Sequence, residues 1–239
     1  VKVNNVELNT HLTGCVNNAD ILYKDKSCNT ETWRVFPAVG GISGGTYHHT
    51  TLVKGDKEEF ATFHDCNNYG DITFQAVGGG QAQDTQGHPN THVAGIVARG
   101  GYMGAYNCNN YGAITLDGHF KQTYSGGVCG ASWYCNFDNC HNFGAVTMTE
   151  KSTFWGLMIA GISGNNYNTG DFVHLTNNCS NNAPITILGS TAANATKGMY
   201  HYRVGGCESF GRGLASNLTN NKEDIITCKG TVKMMNTNF

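Results

Sequence analysis

The sequence predicts an all-β fold, a parallel β-solenoid or β-helix of about six rungs with loop insertions, and three observations lead there. A heptad of the form Cys-x-Asn-x-Gly/Ala-x-Ile/Val recurs along the chain. A glycine-flanked apolar pair recurs between its copies. The residues around both are rich in Gly, Asn and Thr and poor in helix formers.

The heptads run Cys15–Ile21, Cys66–Ile72, Cys108–Ile114, Cys140–Val146 and Cys179–Ile185. A sixth, degraded copy runs from Leu218 to Ile225, one residue longer. The paired element reads Val39-Gly40-Gly41-Ile42, Val93-Ala94-Gly95-Ile96, Gly126-Gly127-Val128, Ile159-Ala160-Gly161-Ile162 and Val204-Gly205-Gly206-Cys207. Heptad starts are separated by 51, 42, 32, 39 and 39 residues. The step of 32 is the minimal unit, within the range of stacked solenoid repeats, and the longer steps add loops to it.

Strands are expected instead of helices because only 13% of residues are charged and 32 are Gly. The apolar-Thr-apolar runs at Ile72-Thr73-Phe74, Ile114-Thr115-Leu116, Val146-Thr147-Met148 and Ile185-Thr186-Ile187 alternate as half-buried strands do. Ile21, Ile72, Ile114, Val146 and Ile185 should then stack as an interior aliphatic column. The Gly or Ala two residues earlier should mark a corner with no room for a side chain or a positive φ. Asn17, Asn68, Asn110, Asn142, Asn181 and Asn220 should stack as an amide ladder. Tyr69, Tyr111 and Phe143 share one position and should form an aromatic stack.

Of ten cysteines, Cys15, Cys66, Cys108, Cys140 and Cys179 share one heptad position. Parallel Cβ directions in stacked rungs suit a disulfide badly, so these read as small buried apolar groups. Cys28, Cys129, Cys135, Cys207 and Cys228 lie off this column and are the better candidates for any disulfide. No paired CxxC or histidine set accompanies Cys135 and Cys140, and His88 and His92 flank a Pro-containing loop, so neither a metal site nor a cofactor is expected.

The net charge is −2 with no basic stripe, which excludes a nucleic-acid partner. No apolar run approaches the roughly 18 residues of a membrane span. Low charge with abundant Asn, Gly and Thr points to an extracellular, secreted or surface-attached protein. Asn194 and Asn217 begin glycan-acceptor sequons.

The Gly-Gly-Ile-x-Gly strand followed by Cys-x-Asn-x-Gly-x-Ile resembles the GLUG-motif repeat of bacterial cell-surface proteins. The resemblance covers roughly residues 15–226 and is clearest over 93–146 and 159–185. It is weakest at the last copy, where Leu218 replaces Cys and an extra residue precedes Ile225. It implies a secreted or surface-attached solenoid with an adhesive or scaffolding role, and it brings no catalytic residues.

One domain, 1–239, is therefore expected, with repeats over roughly 15–226 and candidate caps at 1–14 and 227–239. Function should concentrate in the insertions at 22–38, 43–65, 75–92, 165–178 and 186–202. The aromatic and histidine side chains outside the heptads, Tyr47, His48, His49, Trp133, Tyr134, Trp155, Tyr200 and Tyr202, are the candidate ligand-binding residues. They suit a non-enzymatic, adhesin-like solenoid whose partner is a host or environmental glycan or protein.

Three alternatives are weaker. A carbohydrate-active β-helix enzyme needs converging carboxylates. Asp20, Asp71 and Asp224 share one heptad position, but Ala113, Ala145 and Pro184 occupy the rungs between, so no adjacent pair is expected there. An ice-binding face would use Thr73, Thr115, Thr147 and Thr186, but the irregular steps argue against a flat array. Uncapped ends would make the chain a structural or self-assembling segment that associates end to end.

Overall fold

The computed structural model describes residues 2–3, 6–7, 10–25, 37–46, 61–77, 90–167, 175–192, 202–209, 214–220 and 226–229. The described residues form a parallel β-solenoid and contain no helix. The third turn of the coil shows the plan. Strand Thr91–Ala94 turns at Gly95 and Ile96 into Val97–Gly101, then at Tyr102 into Met103–Tyr106. A corner at Asn107 leads to Asn109–Asn110. The chain then enters Ile114–Gly126, which closes this turn and begins the next.

Strands at equivalent positions pair in parallel and in register. The Asn-bearing strands Val16–Asn17, Asn67–Asn68, Asn109–Asn110, His141–Asn142, Ser180–Asn181 and Thr219–Asn220 lie side by side in chain order, which makes six rungs. Ile21, Ile72, Ile114, Val146 and Ile185 form the expected column. The column continues at Ile226, not at Ile225: five residues separate Ile226 from Asn220, where three separate Ile185 from Asn181.

The repeat also extends further than its sequence motif. Thr10–Thr13, within the expected N-terminal cap, pairs with Ala61–His64 as a strand of the first rung. Thr227 and Cys228, at the start of the expected C-terminal cap, belong to the strand Ile226–Cys228 on Ile185–Ile187. Ahead of the first rung, Lys2–Val3 and Val6–Glu7 pair as an antiparallel hairpin. The insertions are correspondingly shorter. Of the segment 75–92, Gln75 and Ala76 end one strand and Thr91 and His92 start another, leaving only 78–89 outside the described residues.

The two halves of the sequence repeat meet inside the coil. Asn68, Asn110, Asn142 and Asn181 are fully buried. Each donates one Nδ2 hydrogen to the carbonyl two residues ahead, at Gly70, Gly112, Gly144 and Ala183, at 2.9–3.0 Å. The other hydrogen goes to the next amide: Asn17 to Asn68 at 2.7 Å, then Asn68 to Asn110, Asn110 to Asn142 and Asn142 to Asn181, each at 2.8 Å. Facing this ladder is the glycine column Gly41, Gly95, Gly127, Gly161 and Gly206. A Cβ on Gly95 would collide with Asn110 Oδ1 and with the Gly127 carbonyl, and one on Gly127 with Asn142. The coil is therefore pinched to a waist where amide meets glycine.

The waist separates two apolar compartments. On one side Ile72, Ile114, Val146 and Ile185 pack with Val93, Leu157 and Ile159. On the other side Phe63, Met103 and Phe137 pack with Ile96, Val97, Val128 and the thiols.

The turn before each Cys is carried by Gly14, Asp65, Asn107, Asn139, Asn178 and Asn217, all with φ between 50° and 65°. Gly, Asn and Asp are the residues that tolerate this left-handed conformation. The Gly of the heptad itself does something else. Gly70, Gly112 and Gly144 lack positive φ and are needed because a Cβ there would strike the carbonyl of the preceding rung.

All nine described cysteines are free thiols. None of the off-column candidates described, Cys129, Cys135, Cys207 and Cys228, forms a disulfide: the first three are buried in the thiol-rich compartment and Cys228 is exposed. Cys28 lies outside the described residues. Cys66, Cys108 and Cys140 donate to main-chain carbonyls at 3.3–3.7 Å, as weak donors do in an apolar column. Burial pushes the Cys129 and Cys140 thiols well up, which keeps them protonated and inert.

Candidate functional site

The turn from Val97–Gly101 into Met103–Tyr106 is made by Tyr102. One rung on, the turn after Cys129–Trp133 is made by Tyr134. Both are left-handed, with φ 51° and 57°. For a bulky side chain this conformation is a genuine outlier, with a cost on the order of 1 kcal/mol or more each. The two rings stack with centroids 4.7 Å apart and planes 26° apart, and both are half-buried. Beside them the guanidinium of Arg99 lies 5.1 Å from the Trp133 ring centre, within cation–π range. The Trp133 ring is half-buried too, packed near Tyr124, Ala131 and Met158. Tyr167 follows Trp133 in register on the next rung. Partial burial and the Tyr134 charge raise the Tyr102 phenol above its ordinary value, so its hydroxyl is a protonated hydrogen-bonding group at neutral pH.

Two of the sequence candidates, Trp133 and Tyr134, are thus brought together here. Trp155 and Tyr202 are not part of this corner. Trp155 is buried on Thr153–Ala160, with the Lys121 ammonium 5.6 Å from its ring centre. Tyr202 packs into the isoleucine compartment, its ring 5.8 Å from that of Phe154. Tyr47, His48, His49 and Tyr200 lie outside the described residues. Sequence reasoning missed Tyr102 and Arg99; the signal available was the 32-residue offset that puts Tyr102 in register with Tyr134.

A second aromatic feature lies on the outside of the heptad corner. Tyr69, Tyr111 and Phe143 stack at 4.7 and 4.9 Å, with interplanar angles of 2° and 6°. They are 51, 41 and 44% exposed. Their faces cover one another, so this ridge presents ring edges. An outer polar ladder runs beside it: Asn109 donates to Asn67 at 3.0 Å and His141 Nδ1 lies 2.8 Å from Ser180 Oγ.

The carboxylates at the heptad corner need a correction. Asp20 and Asp71 occupy adjacent rungs, so an adjacent pair does exist. Asp20 Oδ1 accepts the Asp71 main-chain N–H at 2.9 Å, and Asp71 Oδ1 accepts that of Ala113 at 2.8 Å. Both carboxylates therefore tie rungs together. His92 is no loop residue either: it is fully buried, stacked at 5.2 Å on Tyr124, and burial with the nearby Arg99 charge lowers its imidazole to about 3. Among the described residues no group of three or more His, Cys, Asp or Glu is arranged to hold a metal ion. Among the described residues no helix is long and apolar enough to cross a membrane.

Comparison with protein-family models, with curated proteins and with solved structures returned no match.

Proposed function

We propose that this chain is a non-enzymatic, secreted or surface-attached solenoid of the adhesin type, related to the GLUG-motif repeats, and that it binds a glycan at the Tyr102–Tyr134 corner. The observation that carries this reading is the identity of the corner residues. At the neighbouring corner the chain meets the same demand for positive φ with Gly, Asp and Asn throughout. At this one it uses tyrosine twice. Backbone strain kept at bulky residues is a mark of functional sites, because a purely structural turn is better served by Gly or Asn. Half-exposed rings with phenol hydroxyls beside an indole offer what a sugar needs, an apolar surface for its C–H face and donors for its hydroxyls.

The test separates a binding role from a structural one. Tyr102→Gly and Tyr134→Gly relieve strain while removing the rings. The proposal expects thermal stability to be retained or raised and binding on a glycan array to be lost. A matched deletion of 78–89 reports whether that insertion contributes. Loss of stability with unchanged glycan binding would make the tyrosines structural and overturn the proposal, as would no binding by the parent chain.

A further inference from the structure

Both ends of the solenoid expose what every inner rung buries. Ile185 is 0% exposed, but its successor in the column, Ile226, is 39% exposed. Asn181 is fully buried, whereas Asn220 is exposed. At the other end Ile21 and Cys15, whose equivalents are buried, are half-exposed, and Val16 and Leu22, on the outer faces in register with Asn67 and Thr73, are 51 and 58% exposed. Bare strand edges with apolar side chains are templates for further pairing, and soluble solenoids ordinarily cover them.

The two ends are complementary in donors and acceptors. In the Asn strands the later rung donates to the earlier one: Asn67 N–H to the Cys15 carbonyl, Tyr69 to Asn17, Asn109 to Cys66, Tyr111 to Asn68 and Thr219 to Cys179. By register, the Val16 and Asn18 N–H groups face outward at the N-terminal end, and the Leu218 and Asn220 carbonyls face outward at the C-terminal end. In the isoleucine strands the direction reverses, with Ile21 N–H donating to Asp71, Ile72 to Ala113 and Val146 to Pro184. That leaves the Ile226 N–H outward at the C-terminal end and the Asp20 carbonyl outward at the N-terminal end.

The amide ladder has the same polarity. Asn142 Oδ1 accepts both the Gly144 N–H and Asn110 Nδ2. Asn17 Oδ1 accepts the Ala19 N–H, and among the described residues no preceding amide reaches it.

We propose that these ends are an interface between copies of this chain: the C-terminal end of one copy seats on the N-terminal end of the next. Ile226 lands on Ile21, Leu218 on Cys15 and Asn220 on Asn17, which continues the main-chain pairing and the amide ladder across the junction. The contact is heterologous, so it propagates into an open filament instead of closing a dimer. One like-charge contact arises, because Lys229 falls over Lys24. This inference is independent of the glycan reading.

The experiment is sedimentation velocity and electron microscopy of the full chain over a concentration series. The parent is expected to gain mass continuously beyond a dimer and to form filaments one solenoid wide. Ile21→Lys and Ile226→Lys, at the two ends of the interior column and both partly exposed, are each expected to be monomeric, and their equimolar mixture to form dimers only, since each retains one competent end. Lys24→Glu replaces the like-charge contact with an attractive one and is expected to lower the concentration of half-assembly by about two- to fivefold at low salt. A parent that stays monomeric across the series would overturn the proposal. So would end variants that assemble as the parent does, or a Lys24→Glu variant that assembles less readily.

Discussion

At Asn110 one side chain satisfies three polar partners in the dry interior. It accepts from Asn68 and donates to Asn142 and to the Gly112 carbonyl. Truncation removes those bonds and leaves buried groups of its neighbours unpaired, which is the costly way to lose a hydrogen bond. Asn110→Ala should therefore lower unfolding stability by about 2–4 kcal/mol. Asn109→Ala, one residue away on the half-exposed outer ladder, should cost less than about 1 kcal/mol because water replaces its partner. Denaturant titration of the two variants checks this, and equal losses would refute a dry inner ladder. The inner ladder was legible in the sequence because Asn holds the third heptad position in all six copies. Its partnership with glycine was not. Gly95 lies in a turn and Asn110 in a separate strand of the coil, and nothing in either motif says that the two touch. Tyr102 and Tyr134 escaped for the opposite reason: a left-handed turn is sought at Gly or Asn, so two tyrosines hide it.

At the level of strands, the heptad strands and the isoleucine strands could be read because their residues repeat in kind. The strands Ala61–His64, Met103–Tyr106, Asn136–Asp138 and Leu175–Asn177 could not. Only one inward position is held in common there, and it passes through Phe63, Ala105, Phe137 and Thr176, so size and polarity both vary. These strands wall the compartment that holds the thiols, and that compartment decides the cysteine chemistry. Stacked interior thiols lack the exposure that an alkylating reagent needs. Alkylation of the native protein should label Cys228 quickly and half-buried Cys15 more slowly. Cys66, Cys108, Cys129, Cys135, Cys140, Cys179 and Cys207 should be labelled only after unfolding. Peptide mapping reads this directly, and a thiol of the buried set that stays unlabelled after denaturation without reductant would indicate a disulfide and contradict the assignment.

Over the whole molecule, steps of 32 to 51 residues resolve into one geometry because the described strands on either side of each insertion keep a common register. The column Thr73, Thr115, Thr147, Thr186 and Thr227 shows this, for it runs unbroken past the last four of those unequal steps. The sequence reading expected the insertions to interrupt this face, and they do not. A single threonine column is still bordered by Gln75, Asp117 and Leu188, so no two-dimensional hydroxyl array forms. In-register stacking is the claim on which the amide ladder, the tyrosine corner and the complementary ends all depend. It is tested most directly by pulsed electron–electron resonance between nitroxides attached through non-natural amino acids at Thr73 and Thr227, which leaves the native cysteines untouched. Four rung steps predict a narrow distribution whose backbone separation is about 19 Å. A broad distribution, or a separation beyond about twice that spacing, would contradict the stack.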